Sequence, residues 1–139
     1  IDDYAHHPQE LSALIEGARG LFGEMWCTVI FQPHLYSRTR DLADEFAGSL
    51  DLADEVILLP VYPAREVPIE GVSSEMIKSR MTRSLVRIAG KEEVLEYLAG
   101  KTTEQGTAGQ LLITAGAGDI DRLVEPIKEI LSVSLSNER

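Results

Sequence analysis

An α/β domain, with a mostly parallel sheet flanked by helices, is the fold class this sequence predicts. Three observations carry it. Strand-type and helix-type runs alternate from end to end, the order that parallel crossovers need. The strand-type runs "WCTVIFQP", "EVILLPVY" and "QLLITAGAG" are almost continuously apolar, as strands covered on both faces are. The helix-type runs instead carry apolar residues three and four positions apart.

Element by element, the chain starts with "DDYAHHP", which follows a first strand cut short by the chain's beginning. Leu11, Leu14, Ile15, Ala18 and Phe22 then recur at helical spacing, with Pro8 suited to the first turn and Gly20 and Gly23 to the end. "WCTVIFQP" is a buried strand stopped by Pro33. After the polar connection "HLYSRTR", a second helix aligns Leu42, Ala43, Phe46, Ala47 and Leu50, with Ser37 or Thr39 as its cap and Asp41 at its positive end. "EVILLPVY" is the next strand, and the proline-rich loop "PAREVPIEG" follows it. A short helix runs from about Ser74 to Met81 with Ser73 as cap; "SLVRIA" is a strand; "KEEVLEYLAG" is a helix closed by Gly100. "QLLITAGAG" runs into a glycine turn, and the last helix carries Ile120, Leu123, Val124, Ile127, Ile130 and Leu131 on one stripe. Pro126 either kinks that helix or marks its start.

The 139 residues fit one domain, and a 44% hydrophobic content is enough for a core. A net charge of −10 argues against general nucleic-acid binding, which needs a basic face. No apolar run approaches the ~20 residues that cross a bilayer, so no membrane partner is expected. The one cysteine, Cys27, excludes a disulfide framework, reads as core together with Trp26, and makes a reducing compartment the default. The chain opens on Ile1 rather than Met and is read as a piece of a longer protein.

In α/β folds ligands gather at the carboxyl ends of strands, and the chemically rich segments fall there. "DDYAHHP" admits a metal reading, but adjacent imidazoles point apart and no third His lies at helical spacing. It also reads as a helix start, whose unpaired N–H groups attract phosphate. "QPHLYSRTRD" gathers His34, Arg38 and Arg40, either as a solvated loop offsetting Asp41 and Asp44 or as a carboxylate or phosphate clamp. In "TAGAGDI", Gly116 and Gly118 read as a tight packing turn rather than a phosphate cradle, because the full G-x-G-x-x-G form is missing. Neither a G-x-x-x-x-G-K-[ST] loop nor a G-x-S-x-G elbow occurs.

Taken together and in order, "DDYAHHP", "FQPHLYSRTRD", "LLPVYPAREVPIEG" and "TAGAGDI" resemble the C-terminal domain of the Mur ligases, over nearly the whole chain. The "QPHxYSRTRD" form resembles the branch that adds L-alanine to UDP-N-acetylmuramate. The resemblance implies a Rossmann-like lid domain of a three-domain bacterial cytoplasmic enzyme, with separate UDP-sugar and ATP/Mg domains. The implied reaction is ATP-dependent and passes through an acyl phosphate. By resemblance, Asp3 and Tyr4 approach the nucleotide, His6 lies near the transferring phosphoryl group, and His7 orients its neighbours or caps the helix. His34 and Arg38 hold L-alanine, with Arg38 on its carboxylate. No metal ligand is implied among these residues, and the isolated domain is expected to be inactive. Two positions depart from the pattern: Leu35 replaces a commoner arginine and Arg65 a commoner glycine. They leave single-point carboxylate binding, or help from Arg40 or Arg65. A tripeptide-recycling ligase and a non-catalytic Rossmann-like module that binds a nucleotide or a protein are the alternative readings.

Overall fold

Five strands form one sheet in the order β1-β5-β2-β3-β4, parallel at every pairing. They are β1 (Asp2–Asp3), β2 (Trp26–Phe31), β3 (Glu55–Leu58), β4 (Leu85–Ile88) and β5 (Gln110–Ala115). The helices are α1 (Pro8–Leu21), α2 (Tyr36–Leu50), α3 (Ser74–Lys78), α4 (Lys91–Gln105) and α5 (Val124–Glu138), the last entered through a 3-10 turn at Asp119–Leu123. The structure is a computed structural model; it describes residues 1–106 and 108–138, and their side chains except at 104, 105 and 134–138.

The pleat sorts the core into two layers, because successive strand side chains point to opposite faces. Val29 and Phe31 of β2 and Val56 and Leu58 of β3 meet Leu11 and Ile15 of α1, Phe46 and Leu50 of α2, and Ile77 of α3. The Phe31 and Phe46 rings lie 5.4 Å apart. Ile30 and Ile57, one residue out of phase, meet Val94 and Leu98 of α4 and Ile127 of α5. So α1, α2 and α3 cover one face, and α4 and α5 the other. β5 is last in the chain, yet it inserts between β1 and β2. The chain leaving β5 turns to the opposite face from its neighbours, which opens a crevice at the carboxyl edge.

The predicted fold class stands, with local corrections. Gly20 does not end α1; the helix passes through it and stops where Phe22 takes φ −123° and ψ 39°. Gly100 is also internal. α4 runs on to Gln105 and ends at Gly106, whose φ of +73° suits a glycine. An internal glycine costs only about 1 kcal/mol, which packing of neighbours such as Leu98 offsets. Trp26 is not core: it opens β2 at the sheet's amino edge and is 38% exposed, with the Lys101 ammonium of α4 5.9 Å from its ring. Cys27, one residue on, is fully buried. α3 ends at Lys78 rather than Met81, with Ser73 capping the Glu75 N–H as predicted. Pro126 falls in the first turn of α5, so it marks the start rather than a kink.

Neither Ser37 nor Thr39 caps α2. The helix begins at Tyr36, and Leu35 stands at the N-cap with φ +73°. Thr39 is buried in the second turn, where its hydroxyl and its N–H both donate to the Leu35 carbonyl, at 2.9 and 3.1 Å. The motif "DDYAHHP" also begins inside a strand rather than after one, since Asp2 and Asp3 pair with Thr114 and Ala115 of β5.

Candidate functional site

Four segments meet at the carboxyl edge of the sheet: residues 3–8 after β1, 32–40 after β2, 60–66 after β3 and 116–119 after β5. The first is shaped locally. The Asp3 carboxylate accepts from the Ala5 N–H (2.9 Å), which turns the chain off the strand. His7 holds the N-cap of α1, Pro8 follows it, and Glu10 reaches back to accept from the His7 N–H (3.1 Å). Burial raises the Glu10 pKa, and the backbone N–H groups of His6 and His7 more than reverse this, leaving it below the usual range.

The His6 ring is oriented by its own chain. Its Nδ1 lies 3.0 Å from the Tyr4 carbonyl oxygen, which can only accept. Nδ1 therefore carries the proton, and Nε2 is the nitrogen left for another partner. The Tyr4 ring stands edge-on to His6 at 5.8 Å, and the exposed His7 ring lies tilted against it at 5.0 Å.

The second segment is shaped by tertiary contacts. Past the ends of β2 and β3, His34 and Tyr62 form a further parallel bridge. The Tyr62 N–H donates to the Pro33 carbonyl and the Leu35 N–H to the Tyr62 carbonyl, both at 2.8 Å. The rings of His34 and Tyr62 stack at 5.8 Å, 15° from parallel. On its other side, His34 meets His6 edge-on at 6.2 Å. One helical turn on, Arg38 Nη1 donates to His34 Nδ1 (3.0 Å). A guanidinium has no acceptor, so this nitrogen of His34 is bare and its proton sits on Nε2. Burial lowers the His34 pKa, and the Arg38 charge and then the neighbouring His6 ring lower it further.

His6, His34 and Arg38 thus stand in one row, though 32 positions of sequence separate the first from the last. Tyr4 and His7 flank the row at the His6 end, and Asp3 lies just behind. Arg40 is turned away and pairs with Asp41 (2.8 Å). Arg38 forms no ion pair with a carboxylate among the described residues. A cleft of about 540 Å³ opens beside His6, His7 and Glu45, and another of about 600 Å³ beside Gln32, Tyr62 and Lys91. The row offers an unpaired guanidinium, a neutral imidazole presenting Nε2–H, and a second imidazole presenting Nε2. Such a set can bind a carboxylate and relay a proton beside it.

The glycine turn after β5 is a packing device. A Cβ on Gly118 would stand 2.5 Å from Gln32 Oε1 and 2.8 Å from the Tyr62 side chain. The Gln32 side chain bridges the turn, donating to Asp119 (2.8 Å) and accepting from the Ile120 N–H (2.9 Å). Sequence reasoning missed Gln32, Tyr62 and Glu66. The polar density of "PAREVPIEG" pointed toward Glu66; Tyr62 closes the run "EVILLPVY", which reads as strand and gave no such signal.

The Mur ligase, glutamate ligase domain family matches residues 1–118. The UDP-N-acetylmuramate–L-alanine ligase of Parabacteroides distasonis is 52% identical over 131 residues, covering 94% of this chain and 27% of that protein. The crystal structure of the UDP-N-acetylmuramate-alanine ligase of Thermotoga maritima superposes with a TM-score of 0.60 at 26% identity, over 96% of this chain and 26% of that one. A murein peptide ligase from Psychrobacter arcticus gives a TM-score of 0.70 at 16% identity, over 92% of this chain and 26% of that one, a likeness of fold alone. The chain spans about a quarter of the length of the curated relatives it matches, 27% and 26% for two of them.

Proposed function

The chain belongs to the Mur ligase, glutamate ligase domain family, and from that premise we propose that it is the C-terminal, amino-acid-binding and lid domain of an enzyme joining L-alanine to UDP-N-acetylmuramate. The enzyme works in the bacterial cytoplasm on the route to peptidoglycan. Other parts of the same polypeptide hold the UDP-sugar and the ATP. ATP phosphorylates the muramate carboxylate, the alanine amine attacks the acyl carbon, and phosphate leaves. These 139 residues contain no G-x-x-x-x-G-K-[ST] loop, so ATP and Mg²⁺ are held chiefly outside them and the isolated chain is inactive. The exposed Asp3, Tyr4 and His7 supply the acceptor, aromatic and donor groups that a nucleotide closing onto this edge would meet.

The observation that carries this reading is the unpaired Arg38 guanidinium beside a neutral His34 and within one ring of His6. Alanine is a small zwitterion. Its carboxylate needs a cation, which Arg38 supplies, and its amine must be neutral to attack. His34 Nε2–H donates to the bound amino acid. His6 lies toward the transferring phosphoryl group and the tetrahedral intermediate. Holding the amine in line supplies much of the rate in such a transfer. Leu35 offers no charge and Arg40 is paired with Asp41, so carboxylate binding rests chiefly on Arg38, with Arg65 the remaining cation that could assist it.

Arg38→Ala in the full-length enzyme tests the reading. The KM for L-alanine rises about tenfold or more, while the KM for ATP stays within about twofold. Equal rises in both would remove Arg38 from the alanine site. A preference for a tripeptide amine over L-alanine would reassign the chain to a peptide-recycling ligase.

A further inference from the structure

The first turn of α2 carries Arg38, yet it has no cap of its own. Leu35 stands at the N-cap with no side-chain hydrogen bond to offer. The missing acceptor comes from the loop after β3. Glu66 Oε1 accepts from the Ser37 N–H (3.1 Å), and Glu66 Oε2 accepts from the Ser37 hydroxyl. Both oxygens of one carboxylate are thereby committed to one residue, 29 positions away. Such a pair fixes distance and direction together. The loop is itself braced, since the Glu66 N–H donates to the Pro63 carbonyl (2.9 Å). Its near end is welded to the β2 side by the Tyr62 bridge and the stack on His34. Residues 62–66 therefore hold the segment 34–38 at both ends: Tyr62 at the imidazole, Glu66 one residue before the guanidinium.

We propose that Glu66 is a positioning residue for the amino-acid site, acting through Ser37 to fix the first turn of α2 where Arg38 meets His34. The inference rests on the alanine-binding reading of Arg38 and extends it to a residue that touches no substrate. The loop carrying Glu66 sets the angle at which the guanidinium is presented. Glutamate has the reach to span the gap, and one methylene fewer leaves the carboxylate short of Ser37. Charge is secondary. A glutamine keeps an oxygen for the Ser37 N–H, and its amide can donate to the reversed hydroxyl.

Four variants of the full-length ligase test this: Glu66→Ala, Glu66→Gln, Glu66→Asp and the reference Arg38→Ala. Glu66→Ala raises the KM for L-alanine about tenfold, with the KM for ATP within about twofold. Glu66→Gln restores most of the loss, and Glu66→Asp does not, although Asp keeps the charge. A merely structural cap would move the melting temperature and leave the two KM values in step. The proposal is overturned by parallel changes in both KM values, by no change in Glu66→Ala, or by rescue with Asp rather than Gln. If Arg38→Ala alone raises the alanine KM, this inference fails and the functional reading survives. If Arg38→Ala is silent, both fail.

Discussion

The two edges of the same sheet carry similar side chains and treat them in opposite ways. At the amino edge, Glu55 opens β3 almost fully buried, and its carboxylate is spent inside the protein. Its carboxylate accepts from Lys101 (2.8 Å), from Thr28 (3.0 Å) and from the Tyr97 hydroxyl. Burial raises the Glu55 pKa, but those bonds and the Lys101 charge more than reverse it. Tyr97, desolvated and donating to that carboxylate, is pushed up to about 12. At the carboxyl edge, Arg38 donates to a neutral ring rather than to a carboxylate, and His6 and His34 each present a ring nitrogen outward. Charges that find partners within the chain hold the fold. Charges that are positioned but left unpaired are available to a ligand.

The sharpest way to break this comparison is Lys101→Met. It leaves Glu55 buried without its counter-charge, so the chain loses about 3–5 kcal/mol in denaturant unfolding. Folded full-length enzyme keeps its KM for alanine. A loss below about 1 kcal/mol would make the amino-edge network no more structural than an exposed pair.

Gly118→Ala sharpens the other side. The added methyl meets Gln32 and the root of the Tyr62 ring. Overpacking of this kind costs about 1–3 kcal/mol, and it also raises the alanine KM by tilting the His34 stack. Unfolding and kinetics on one variant separate the two effects. A stability loss with unaltered KM would detach Tyr62 from the site.

The smallest effect is in the titration of His34. Burial first, then Arg38 and His6, hold its pKa below the ordinary 6.5. The unfolded ring takes up a proton at higher pH than the native one. The His34 contribution to stability is therefore full above pH 6.5 and is lost as pH falls from there through the lowered native value. Nuclear magnetic resonance should find the ring neutral at pH 7, protonated on Nε2. Arg38→Ala should move its titration upward. A downward shift would reverse the assigned electrostatics.

Much of this was legible in the sequence wherever the cause is local. The helix start at His7 and Pro8 is local, and the apolar stripe of α1 and that of α5 from Val124 on follow helical spacing. Ile120 and Leu123 of the predicted last stripe instead lie in the 3-10 turn before α5. The three nearly continuous apolar runs that became β2, β3 and β5 carry their burial in their composition. The glycine readings failed at Gly20 and Gly100 because a helix crosses one poor residue when the residues around it pack well. The α2 cap was misread because its acceptor, Glu66, comes from another loop.

The sequence by itself determined the elements, their order, and which residues would stand at the strand ends. The physical reason is that propensity, capping and periodicity act within about one helical turn or one pleat. Only the tertiary structure decided that β5 inserts between β1 and β2. It likewise decided that His6 faces His34, that Tyr62 stacks beneath it, and that Glu66 reaches Ser37. Those contacts join residues that are strangers along the chain, and strand order and the two packed layers bring them within reach.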